Sequence, residues 1–108
     1  MKVTRDMIPI GRSCAISRRG LCNLTGQNDR EVRRQISALR AEADPDGMVI
    51  VSISTGSGYY RTDNIDEISH FVNEMRHRNR MTYRAIKTAE TTLRHLKAKR
   101  AHFEELGI

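Results

Sequence analysis

No glycine or proline occurs between residues 64 and 106. Nothing in that stretch breaks a helix, so one long helix or two stacked ones is expected there, with "HRNR" at 77–80 as the place for a break. Cysteine is scarce: Cys14 and Cys22 stand eight apart with no second pair. That excludes a disulfide scaffold and a zinc framework, and it suits reduced thiols and a cytoplasmic protein. No apolar run approaches the ~20 residues that span a bilayer. The opening "MKVTRDMIPIGRSC" has no long apolar stretch, so no signal peptide and no membrane partner are expected. Motifs for catalysis are missing as well. There is no G-x-S-x-G, and no His stands near either cysteine in sequence. His70 and His77, like His95 and His102, are seven apart rather than four, and no Cys or carboxylate completes a metal site. No enzyme, metal or cofactor is expected.

What the chain has is positive charge. Its 108 residues hold 19 Lys and Arg against 13 Asp and Glu, a net +6. Between residues 76 and 100, nine basic residues face a single acid, Glu90, so the rest of the chain is slightly acidic. Such a balance directs attention to nucleic acid, acidic proteins or anionic lipid.

The order of elements follows from local signals. Residues 1 to 15 are expected to form an extended arm, with "IPIGR" as a short strand that puts Ile8 and Ile10 on one face. Ser17 suits an N-cap, and Leu21 and Leu24 line one side of the helix after it. Gly20 weakens that helix by about 1 kcal/mol relative to Ala, and Gly26 stops it. Asn28 or Asp29 caps the next helix, whose apolar stripe is Val32, Ile36 and Leu39. "DPDG" at 44–47 ends it in a turn. "MVIVSI" and "YYRT" read as two strands joined by a glycine-bearing tip, with Tyr59 and Tyr60 pointing to opposite faces. Asp63 or Asn64 caps the last helix. The expected fold is mainly α with a small β-hairpin (α+β). A domain of residues 1–62 precedes a C-terminal helix or helix pair over 63–108.

Helix, tight turn, helix and glycine-tipped hairpin is the order of a winged helix-turn-helix, in which the second helix enters the major groove by its N-terminal residues. Arg30, Arg33 and Arg34 crowd the start of that helix and lie largely off its apolar face. Arginine there can reach guanine O6 and N7, or phosphate, and a helix N-terminus itself favours anions. Asn28, Arg30, Arg33 and Arg34 are the expected major-groove residues. Ser57 and Arg61 are the expected wing contacts to the backbone. Asp29 and Glu31 oppose phosphate at the same end and keep a protein-docking use of this surface in view.

"ISRRGLCNLTGQNDREVRRQISALR" followed by "GSGYYR" resembles the winged helix-turn-helix group that includes biotin-repressor-type domains. The shared pattern falls on Gly26, Val32, Ile36, Leu39, Gly56, Gly58 and Tyr59. "IPIGRSCAISRRGLCNLTGQNDREVRRQI" is similar to small winged-helix proteins of phages and prophages of Gram-positive bacteria, over residues 8 to 62, and more loosely along the basic C-terminal helix. The resemblance implies a non-enzymatic binder of double-stranded DNA, a transcriptional regulator or a replication-region accessory protein. The alternative is a mobile-element module that docks on a host or phage nucleic-acid machine such as a helicase, polymerase or CRISPR nuclease. The basic helix has three readings: a phosphate contact, a solvated helix folded on the domain, or a homodimer seam of Ile86, Ala89, Leu93, Leu96 and Phe103, interrupted by Arg100.

Overall fold

The computed structural model describes residues 1–53 and 58–107. It is mainly helical, with one small antiparallel hairpin and a long C-terminal helix. Its elements are α1 (Arg18–Thr25), α2 (Asp29–Ala41), β1 (Val49–Ser52), β2 (Tyr59–Thr62) and α3 (Ile65–Glu105), preceded by 3-10 turns at Arg5–Met7 and Arg12–Cys14. Two compact units divide inside α3: Met1–Val72, and the chain from Asn73 on. The first turns of α3 therefore belong with the N-terminal unit. Glu67 accepts hydrogen bonds from Tyr60 and Thr62, and the Phe71 ring lies 4.9 Å beneath the Arg40 guanidinium.

The local signals act as expected at most helix ends. Ser17 Oγ accepts from the Gly20 amide at 2.9 Å. Gly20 has a packing reason: a Cβ there would lie 3.1 Å from both Ile16 Cγ1 and Ser17 Oγ. Gly26 closes α1 in the left-handed region at φ 70°, donating to Cys22 O, a conformation that costs an L-residue about 1–2 kcal/mol. Asn28 caps α2, its Oδ1 accepting from Glu31 N at 2.9 Å. At the far end Arg5 reaches the carbonyls of Leu39 and Glu42 at 3.0 and 3.1 Å, placing a cation against the negative end of the helix. Asn64 Oδ1 accepts from Glu67 N at the start of α3, and α3 runs through "HRNR" without a break.

The core of the N-terminal unit joins Leu21 of α1, Val32 and Ile36 of α2, Ile50 and Tyr59 of the hairpin, and Val3 and Ile8. The last two correct the expected arm. Residues 1–16 are packed, and they cover the free edge of β2. Pro9 O accepts from Arg61 N at 2.8 Å, Arg61 O from Gly11 N at 3.0 Å, and Ile16 exchanges both backbone bonds with Tyr59 at 2.8 and 3.0 Å. Ile8 is fully buried while Ile10 is 56% exposed. The shared face fails because residues 8–10 form no regular strand; Ile10 makes only an isolated bridge. Leu24 is also exposed, since α1 buries the line Leu21–Thr25 rather than Leu21–Leu24.

β1 and β2 pair Val49 with Thr62 through Ser52 with Tyr59. With β1 on one edge and the N-terminal segment on the other, β2 is buried along its whole length. Both tyrosines are therefore buried, although successive side chains of a strand point to opposite faces. Tyr59 joins the core and stacks under Arg40. Tyr60 turns to the start of α3 and donates to Glu67.

Burial first, and then its bond to the Glu67 carboxylate, push the Tyr60 phenol up to about 12 from an ordinary 10.0. Its folded-state value lies above the unfolded one. The stabilisation it gives is complete below about pH 10 and is lost as pH rises through about 12. Melting temperature should fall across that interval, and Tyr60→Phe should flatten the fall. An unchanged alkaline profile in the variant would remove Tyr60 as its cause.

Candidate functional site

α2 presents two different sides. Val32 and Ile36 are buried toward α1 and the hairpin, while Arg30, Arg33, Arg34, Ser37, Ala38 and Ala41 are exposed. The spacing explains it. Residues 30, 33, 34, 37, 38 and 41 recur at intervals of three and four on the side opposite the stripe. The exposed side thus carries arginines in its first half and only small side chains in its second. A helix so shaped can be approached closely along its length while its cations project from one end.

Five arginines and two acids gather around the α1–α2 turn, and three of the arginines pair with the acids. Arg18 on α1 reaches Asp29 Oδ1 at 2.6 Å, and Arg33 reaches Asp29 Oδ2 at 2.9 Å. Arg34 pairs with Glu31 at 2.7 Å, one helical turn away. Arg19 and Arg30 are exposed and have no acidic partner among the described residues. Hydrogen bonding with Tyr59, and then with Asp29, raises the Arg18 pKa above its ordinary value. These pairs explain how Asp29 and Glu31 belong at the start of α2. They satisfy the N-terminal dipole and hold three guanidinium groups in place. The side chains of Arg33 and Arg34 stay 59% and 73% exposed. Exposed pairs of this kind are each worth about 0.2–1 kcal/mol, so an incoming anion exchanges with them at small cost.

No family model, curated protein or solved structure matches the chain.

The expected site residues divide into three groups. Arg30, Arg33 and Arg34 stand together on one exposed surface. Asn28 adjoins them, with its carbonyl oxygen engaged in the cap and its amide hydrogens left to donate. Ser57, with Gly56, lies outside the described residues. Arg61 is a different case. Expected as a wing contact to phosphate, its side chain is only 10% exposed. Its Nε donates to Ile8 O at 2.9 Å, and its Nη1 lies 3.9 Å from Asp44 and 3.5 Å from Asp46. The central place of β2 turns this side chain into the unit, where it ties the N-terminal segment to the 44–47 turn. Arg18 and Arg19 are the additions that sequence reasoning missed. The available signal was their place in the first turn of α1, across a short turn from the arginines of α2.

No cluster of three or more His, Cys, Asp or Glu capable of holding a metal occurs among the described residues. Among the described residues, no helix is long and apolar enough to cross a membrane. Cys14 is exposed and Cys22 half-buried.

Proposed function

We propose that the chain is a non-enzymatic, double-stranded DNA-binding protein of winged helix-turn-helix type. In this reading α1 and α2 are the helix-turn-helix, the hairpin is the wing, and the exposed side of α2 faces the major groove. The observation that carries it is the make-up of that side: Arg30, Arg33 and Arg34 at the N-terminal end, then Ser37, Ala38 and Ala41. Arginine forks suit guanine edges and phosphate, and the small residues allow a helix to seat deeply. The biological setting that fits is transcriptional regulation, or an accessory role in replication, in a phage or prophage.

Fluorescence anisotropy with a random duplex pool at about 50 and 200 mM salt tests the reading. About four phosphate contacts give a log–log slope near −3.6, roughly a hundredfold loss of affinity over that range. Absence of binding at the lower salt would overturn it. Asp29→Asn sharpens the test because it releases Arg18 and Arg33 from their shared carboxylate. DNA affinity should rise about threefold, roughly 0.6 kcal/mol, within the range of an exposed ion pair. A fall in affinity would instead show that the carboxylate itself contacts the ligand. A protein partner retained after nuclease treatment, with no intrinsic DNA binding, would favour the docking-module alternative.

A further inference from the structure

In the second unit, every described residue from Arg76 to Gly107 is exposed, including Ile86 at 49%, Leu93 at 50%, Leu96 at 58% and Phe103 at 42%. Helices of soluble proteins gain most of their stability by packing an apolar face, and this one packs none within its own unit. Ile86, Ala89, Leu93, Leu96 and Phe103 keep a single register. From Asn79 to Phe103 the spacing alternates three and four without a slip, giving Asn79, Ile86, Leu93 and Arg100 at one set of core positions and Thr82, Ala89, Leu96 and Phe103 at the other. That is a heptad seam, with the first set at a and the second at d.

The flanking positions say what fits against it. In a parallel pair each g residue faces the e residue five further along the partner. Here those pairs are Arg78 with Tyr83, Ala85 with Glu90, Thr92 with Lys97, and Lys99 with Glu104. None sets like charges together, and Lys99 with Glu104 is attractive. An antiparallel pair sets g against g and e against e; with Asn79 level with Phe103 of the copy, that places Glu90 against Glu90, a like-charge pair that the parallel arrangement lacks. Arg80, Arg84, Lys87 and Arg94 fall at b and f, away from the seam, so the strong positive charge of the helix does not oppose pairing. Asn79 at an a position is the device that favours a two-stranded, in-register pair. Arg100 at a has a long stem that lies along the seam while its head reaches water.

From this register and charge pattern we infer that the occupant of the seam is a second copy of the chain, joined through residues 79–103 of α3 as a parallel two-stranded coiled coil. The inference stands apart from the DNA reading. If both hold, one molecule carries two copies of α2 and its site has two half-sites.

Light scattering on the full-length chain at micromolar concentration should give twice the 12.4 kDa chain mass. Leu93→Asp should return it to the monomer mass. Leu96→Cys, made with Cys14→Ser and Cys22→Ser, should form a disulfide with its copy on oxidation, because equivalent d positions face each other only in a parallel pair. A monomeric wild-type chain overturns the inference. So does a dimer insensitive to Leu93→Asp, or a dimer in which Leu96→Cys fails to cross-link.

Discussion

Arg61→Met is expected to destabilise the N-terminal unit by about 3–5 kcal/mol, the range for removing one partner of a buried ion pair. The Asp44 side chain is only 2% exposed, with the Arg5 and Arg61 guanidinium groups each 3.9 Å from its Oδ2. Taking Arg61 away leaves that carboxylate underpaired, frees the Ile8 carbonyl of its donor, and removes the side chain that links residue 8 to the 44–47 turn. Urea denaturation followed by circular dichroism measures the loss. Adding Asp44→Asn should recover part of it, since the charge left behind is the larger share of the cost. A loss below about 1 kcal/mol, as for a surface position, would refute the structural role. DNA affinity of the folded variant should match the wild type.

Arg30→Ala should have the opposite signature. It should weaken DNA binding by about 10- to 100-fold, or roughly 1–3 kcal/mol, the value of one good arginine contact to a base edge. Stability should change by less than about 0.5 kcal/mol, because the side chain is exposed. Arg33→Ala and Arg34→Ala should each cost less. Those two guanidinium groups must leave Asp29 and Glu31 before they can bind, whereas Arg30 has no ion pair to break among the described residues. Anisotropy on a selected duplex, beside thermal melts of the same samples, gives the ranking. Equal losses at all three positions would mean that the ion pairs do not compete with DNA. A stable Arg30→Ala variant with undiminished affinity would remove α2 from the interface.

What the sequence disclosed depended on the range of the interaction. Ser17, Gly26, Asn28 and Asn64 act on amides and carbonyls within four residues, so helix ends were legible from type and order. The Val32–Ile36 stripe was legible from its period, and with it the exposed side that carries Arg30, Arg33 and Arg34. The fates of Ile8, Tyr60 and Arg61 were not. Each depends on the packing of residues 1–16 along β2, which no local pattern announces: the signals pointed to an extended arm with a short strand at "IPIGR", and what forms is packed chain with two 3-10 turns. Arg61 shows the cost of reading charge alone. A cation after a glycine-bearing hairpin tip looks like a phosphate contact until the carbonyl of Ile8 and the carboxylate of Asp44 are found around it. Arg18 was hidden for the same reason, because its meeting with Asp29 crosses the turn between two helices.

The bonds along β2 also fix an order of assembly. Arg61 Nε donates to Ile8 across 53 residues, and the Ile16–Tyr59 pair closes a loop of similar length. The α1–α2 pair is local by comparison and can form as soon as its own residues leave the ribosome. Residues 3–16 have to wait: the β2 residues they pair with are the last of the hairpin to emerge. Until residue 62 is free of the exit tunnel, Val3 and Ile8 have only part of their core, and closure of the N-terminal unit pays the entropy of its longest loop in a single late step.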